Sequence, residues 1–189
     1  DGSSRFAPEN RWGWFPSVAA AWNISDENFL KNSETVSNMK IRLGWGITGQ
    51  ENIPGNVYPY LPVYLSSTNQ YAYYPMGGNY VPILRPNIYN PLLKWEEQTT
   101  WNIGLDFGFF NNRMWGSVDF YKKITNDMLS TIAAPLPNLN NLIIANVGDM
   151  ENQGVEIALG GDVIRTTDLT WTLNANATYN ENKITKLSG

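Results

Sequence analysis

Neither cysteine nor histidine occurs anywhere in the 189 residues. Without cysteine there is no disulfide framework, no zinc ribbon and no thiol nucleophile. Without histidine there is no Ser-His-Asp triad, no imidazole base and no use of the commonest transition-metal ligand. Charge is scarce as well: Asp, Glu, Lys and Arg make up 16% of the chain, against about 25% in ordinary soluble domains. The net charge is −4, and no Lys/Arg-rich stretch offers the basic footprint of a nucleic-acid binder. No apolar run approaches the ~18 residues that a membrane-spanning helix needs. The start, Asp1-Gly2-Ser3-Ser4-Arg5, has no apolar segment behind it that would read as a secretion signal.

What the chain has instead is alternation. In residues 169–180, Leu169, Trp171, Leu173, Ala175, Ala177 and Tyr179 interleave with Thr170, Thr172, Asn174, Asn176, Thr178 and Asn180. Successive strand side chains point to opposite faces, so this segment has one apolar wall and one neutral polar wall. Aromatics form 13% of the chain, with eight Trp and ten Tyr, residues suited to sites that are oily at one end and wet at the other.

The same pattern predicts six long strands, at 12–23, 39–48, 98–110, 114–126, 154–164 and 169–180, the last continuing toward Ile184. Pro16 is a blemish in the first, because proline cannot donate to a ladder. Ser25 to Leu30 reads as an N-capped helical turn. Asn111-Asn112 reads as a tight turn, since asparagine tolerates positive φ. Val163 is assigned to the apolar face with Val155, Ile157 and Leu159, and Gly104, Gly108 and Gly160 fall on the polar face.

Connections alternate in length. Short turns close the ends near Asn111 and Thr166, while long segments at about 49–97 and about 127–153 join the opposite ends. Long loops in compact proteins usually carry function. The larger loop is rich in tyrosine, and Tyr58, Tyr60, Tyr64, Tyr71, Tyr73, Tyr74 and Tyr80 are candidate substrate contacts, able to stack on sugars or peptide side chains; the plainer reading is that they pack the loop on itself. Glu96 and Glu97 are adjacent on a strand and point apart, unlike the paired carboxyls of a glycosidase. Asp149, Glu151 and Glu156 match no calcium-loop spacing. The sequon Asn176-Ala177-Thr178 lies inside a strand and is discounted. No catalytic residue, metal or cofactor is expected.

Alternation alone leaves two readings open: a strand of an outer-membrane barrel, with lipid outside and a polar lumen inside, or the core face of a soluble β-sandwich that binds carbohydrate through its loops. Several segments then resemble the SusC/RagA family of TonB-linked outer-membrane transporters. They are Asn10-Arg11-Trp12-Gly13-Trp14-Phe15-Pro16-Ser17, Met39-Lys40-Ile41-Arg42-Leu43-Gly44-Trp45-Gly46, Asn90-Pro91-Leu92-Leu93-Lys94-Trp95-Glu96, Asp119-Phe120-Tyr121-Lys122-Lys123, and Asn146-Val147-Gly148 followed by Asn152-Gln153-Gly154-Val155-Glu156.

The resemblance implies an all-β fold: antiparallel up-and-down strands forming part of the wall of a plugged, 22-stranded barrel. Residues 1–189 would then be part of a barrel domain whose plug and C-terminal strands lie outside it. The implied function is TonB-energised import of glycans or peptides across the bacterial outer membrane, with a SusD-like lipoprotein as partner and no part for nucleic acid. On this reading the lipid-facing residues are Trp101, Ile103, Leu105, Phe107, Phe109, Val118, Phe120, Val155, Ile157, Leu159, Leu169, Trp171, Leu173 and Tyr179.

Overall fold

The structure, a computed structural model, describes residues 1–53, 58–66, 73–87, 89–134 and 142–187. Among the described residues twelve strands follow in chain order: β1 (Ser17–Asn23), β2 (Val36–Gln50), β3 (Tyr64–Ser66), β4 (Tyr73–Met76), β5 (Asn79–Pro82), β6 (Leu84–Pro86), β7 (Glu96–Phe109), β8 (Met114–Asn126), β9 (Leu129–Ala133), β10 (Leu142–Asn146), β11 (Gly148–Arg165) and β12 (Thr170–Leu187). Six of them form one sheet in the order β1-β2-β7-β8-β11-β12, every neighbouring pair antiparallel. Skipping the short loop strands, this is an up-and-down meander. The other six pair as two-stranded ribbons, β3 with β6, β4 with β5 and β9 with β10. A sandwich needs a second sheet packed on the first. Among the described residues this sheet has none, so the soluble-sandwich alternative does not fit.

The six expected wall strands are present, with altered ends. The first begins at Ser17 rather than Trp12. Pro16 has no N–H to place in the ladder, although its carbonyl still accepts from the Ile47 N–H at 2.9 Å. Residues before it fold back on themselves instead: Gly2 bridges Trp12, and the Ser3 N–H donates to the Arg11 carbonyl at 2.9 Å. The expected N-capped turn is a 3₁₀ turn over Ile24–Asp26, with Asn23 at the cap and no side-chain cap bond. β2 and β11 are longer than expected, β11 beginning at Gly148. A register shift falls between Asp162 and Ile164, so Val163 occupies a bulge and Ile164, paired with Trp171, takes the next position on the apolar face. Leu169 lies in the turn before β12, where its N–H donates to Thr166 Oγ1 at 3.0 Å.

The turns behave as their residues require. Phe110, Asn111 and Asn112 all have φ near +55°, so the predicted asparagine turn includes one bulky residue in the left-handed region. Gly77 and Gly78, at φ +59° and +83°, close the β4–β5 hairpin, a two-residue turn that needs positive φ at both positions. Asp127, at φ +56°, kinks the chain out of β8 and into β9.

Little of the buried side-chain surface lies on the sheet. The core cluster is Phe6, Ile53, Leu93 and Trp95, with Phe15, Leu129 and Ile144 packed against it. Phe6 and Leu93 are 0% exposed. These residues come from the segments bordering β1, β2, β7, β9 and β10, so the cluster sits at the long-loop end of the sheet. The opposite end carries the turns at 110–113 and 166–169 and the link at 24–35.

Candidate functional site

Register decides which side chains share a face, because directly paired residues point the same way. One outward row runs Leu43, Ile103, Phe120, Val155, Tyr179; the next runs Ile41, Leu105, Val118, Ile157, Ala177; a third runs Met39, Phe107, Gly116, Leu159, Ala175; and Phe109 pairs with Met114 beyond it. The strand residues named in advance as lipid-facing therefore share one face. Ile103 is 53% exposed and Tyr179 71%, although both are apolar in body.

Toward the loop end this face changes character. The row of Trp45, Trp101, Lys122, Gln153 and Glu181 mixes indoles with charge. Lys122 Nζ pairs with Glu151 Oε1 at 2.7 Å, and Gln153 Nε2 donates to Glu181 at 3.2 Å. The apolar band is thus bounded by a belt of tryptophan and polar groups. Trp101 to Phe109 rises roughly 27 Å along the strand at ~3.4 Å per residue. Tilted by about 40°, that is roughly 21 Å, near the ~25 Å apolar band of outer-membrane barrels.

The inward face is polar and repeats one device. In three cross-strand rows a glycine lies between two large side chains that meet over it: Arg42-Gly104-Asp119, Tyr121-Gly154-Asn180 and Trp115-Gly160-Asn174. Arg42 Nε and Nη2 donate to the two carboxylate oxygens of Asp106 at 2.8 Å each, a bidentate fork. Nη2 also reaches Asp119 Oδ1 at 3.0 Å, across Gly104. A Cβ on Gly104 would sit 2.5 Å from Asp119 Oδ1 and 2.7 Å from Arg42 Cζ. Asn180 Nδ2 donates to the Tyr121 hydroxyl at 3.4 Å, across Gly154. A Cβ on Gly160 would lie 2.5 Å from both Trp115 Nε1 and Asn174 Oδ1. Arg42 and Tyr121 are thereby laid across a glycine and tied to Asp119 and Asn180, which gives a pre-set polar face. Glu156 stands beside Asp119 in the Arg42 row, an acidic excess on this face.

At the loop end, the stretch from Asn90 to Glu96 fastens both long loops to the sheet. Leu93 and Trp95 enter the core, with the Trp95 ring 5.0 Å from Phe6 and 5.1 Å from Phe15. Lys94 Nζ pairs with Asp127 Oδ2 at 2.7 Å, and Glu96 Oε2 accepts from the Leu129 N–H at 2.9 Å. Asn90 Nδ2 donates to the Ile144 carbonyl at 2.9 Å. Asn146 acts as a strand partner through its side chain: Oδ1 accepts from the Lys94 N–H at 3.1 Å and Nδ2 donates to the Lys94 carbonyl at 3.0 Å. The N-terminal segment joins through Asn10 Nδ2, which donates to the Leu93 carbonyl at 3.1 Å, and through the Arg5 guanidinium, which donates to the Ile53 carbonyl.

The tyrosine candidates are dispersed. Tyr71 lies outside the described residues. Tyr73 and Tyr80 share one face of the β4–β5 hairpin with Pro75 and Pro82, while Tyr74 shares the other with Val81; adjacent Tyr73 and Tyr74 therefore do not converge. Tyr80 is 76% exposed, Tyr58, Tyr64, Tyr73 and Tyr74 are also exposed, and Tyr60 is half-buried. The carboxylates weighed for calcium also separate: Asp149 accepts from the Asp127 N–H, Glu151 faces outward with Lys122, and Glu156 faces inward.

Sequence reasoning missed the Arg42–Asp106–Asp119 network and the core cluster. The signal for the first was opposite charge at inward positions, but the register that joins them is set by the fold. Leu93 and Trp95 stood in a quoted motif without an assigned role.

The comparisons with known proteins agree with this geometry. A family model described as TonB dependent receptor-like, beta-barrel, matches residues 1–188. TonB-dependent receptor SusC of Bacteroides thetaiotaomicron is 50% identical over 190 residues, 100% of this chain and 19% of that protein. TonB-dependent receptor P39 of Formosa agariphila is 36% identical over 191 residues, 100% of this chain and 17% of its own length. The solved structure of the RagAB peptide importer in its closed-closed state matches with a TM-score of 0.85 at 32% identity, covering 100% of this chain and 20% of that one. The chain thus spans about a fifth of the length of the curated relatives it matches.

Proposed function

This chain belongs to the TonB dependent receptor-like β-barrel family, and we propose that it forms six adjacent wall strands, with two long extracellular loops, of an outer-membrane importer. Further strands pair with the open edges of β1 and β12, and a plug fills the lumen against the inward face. Import is driven through TonB acting on the plug, and a SusD-like lipoprotein works with the long-loop end. The observation that carries this reading is the register: five consecutive pairings gather the apolar rows from Leu43–Tyr179 to Met39–Ala175 on one face, bounded at the loop end by a row of indoles and charge, and bring glycine, amide and charged residues together on the other, the arrangement a barrel wall in lipid requires.

The cargo we propose is an oligosaccharide. Support comes from the neutral amide and hydroxyl lining of β12 and the exposed loop tyrosines Tyr58, Tyr64, Tyr73, Tyr74 and Tyr80, with Tyr60 beside them; Tyr71 is carried as part of the same candidate set. A peptide, the cargo named for RagAB, is the second reading. The test is uptake of labelled oligosaccharides and peptides by cells with and without the whole gene. Loss of glycan uptake alone is expected. Loss of peptide uptake alone moves the cargo to the second reading, and unchanged uptake of both overturns the importer.

A further inference from the structure

Near the short-turn end, the outward face is not flat. A groove of about 580 Å³ runs between β7, β8, β11 and β12. Phe107, Met114, Leu159 and Leu173 form its walls, and Gly161 and Ala175 leave its floor bare. The rows explain the shape. Gly116 and Gly161 are outward positions without side chains, and Phe107 and Leu159 lean over Gly116, where a Cβ would lie 2.8 Å from the Phe107 ring and 2.9 Å from Leu159.

One cation stands at the rim. Arg113 lines the groove, with Nε donating to the Asp162 carbonyl at 3.1 Å and Nη2 to the Val163 carbonyl at 3.2 Å. Its head is held in place while Nη1 has no partner among the described residues. Arg165 stands nearby, its Nη1 on the Asn111 carbonyl. The acid at this site, Asp162, is occupied on its other side: Oδ1 accepts from the Thr172 hydroxyl at 2.8 Å, and Oδ2 lies 3.7 Å from Arg165.

We propose that this groove holds one phospholipid of the inner leaflet, an acyl chain along Gly161 and Ala175 and the phosphate on Arg113. The proposal rests on the outer-membrane reading above, which puts the short turns at the periplasmic side. At roughly 30 Å³ for a group the size of a water molecule or methylene, the groove has room for on the order of twenty, about one acyl chain. Lipid tails are as apolar as the wall, so burial alone gives no preference for the groove over bulk bilayer. Selection comes from dispersion contacts that an unfilled gap would forfeit and from the charge-assisted bonds between guanidinium and phosphate.

The whole protein is reconstituted in phosphatidylethanolamine/phosphatidylglycerol vesicles, extracted in mild detergent, and its bound lipid counted by native mass spectrometry. One retained phospholipid is expected. Ala175→Leu, which fills the floor, should abolish retention, and Arg113→Gln should lower it about tenfold, the loss of one charge-assisted contact. Inserted protein that retains no lipid, or retention unchanged in both variants, overturns the groove and leaves the barrel reading standing. Failure of the wild type to insert overturns the barrel reading, and the groove with it.

Discussion

Trp95 and Trp101 stand six residues apart at the start of β7 and are held by different physics. Trp95 is buried against Phe6 and Phe15 in the cluster that knits both loops to the sheet. Trp101 is 52% exposed on the outward face, beside Trp45 at 5.9 Å. The cluster behaves like the core of a soluble protein, excluding water from apolar side chains on its own. The sheet withdraws few side chains from its surroundings; backbone ladders join its six strands, and its apolar face waits for another medium to cover it. A chain can thus carry two solvents' worth of design, with the boundary falling inside a single strand lead-in.

The largest way to sharpen that contrast is to truncate each tryptophan in the whole protein. Trp95→Ala removes a large aromatic from a filled cluster and should cost about 3–5 kcal/mol. Because the cluster fastens both loops, the expected readout is rapid proteolytic cutting of residues 51–95 and 127–147 while the barrel stays folded in detergent. Trp101→Ala leaves no cavity and should change neither loop cutting nor folding appreciably. Equal sensitivity of the two variants would erase the distinction.

How far the sequence went follows the same line. The six wall strands and their faces were legible because alternation is a local, two-residue signal that each strand repeats. Pro16 was visible as a blemish, yet its effect was to end the strand, since the residues before it had a better use at the core cluster. The hairpin at Gly77-Gly78 was legible in principle, as paired glycines between tyrosines, but it fell inside a segment described only as a long tyrosine-rich loop. The pairings over Gly104, Gly154 and Gly160 were not legible. Gly104 and Gly160 fell on the correct face, but which side chains meet over a glycine depends on registers between strands up to 77 residues apart, as for Arg42 and Asp119. The core cluster was hidden for the same reason: Phe6, Ile53 and Leu93 come from separate irregular segments with no periodicity to mark them.

A second contrast lies between the two faces of the sheet at one depth. Leu105, midway along the outward band, pairs with Ile41 and Val118. Leu105→Arg should destabilise the barrel by about 2–4 kcal/mol, the cost of a cation near the bilayer midplane. Thr178 lies on the inward face directly opposite Glu156. Thr178→Arg gains a carboxylate neighbour in a wet lumen and should be close to neutral, in keeping with the ~0–1 kcal/mol of exposed ion pairs. Reversible urea unfolding into vesicles measures both. A similar cost for the two would mean that both faces meet the same medium.

The finest contrast is between two inward glycines. Gly160 is crowded, with Trp115 and Asn174 both within 2.5 Å of where a Cβ would go, whereas the nearest atom to a Cβ on Gly44 is Asn102 Cβ at 3.8 Å. Gly44→Ala should be neutral or slightly stabilising, because glycine in a strand loses more entropy on folding than alanine, by roughly 0.5–1 kcal/mol. Gly160→Ala must push the indole or the amide aside, and overpacking of that kind costs about 1–3 kcal/mol. The lower end applies if Trp115 swings away as a unit, which Trp115→Ala in the same background tests, since removing the ring should restore the stability that Gly160→Ala loses. No rescue would place the strain in the backbone instead, and the flattening of inward side chains over glycine would then be a consequence of the registers rather than a reason for the glycines.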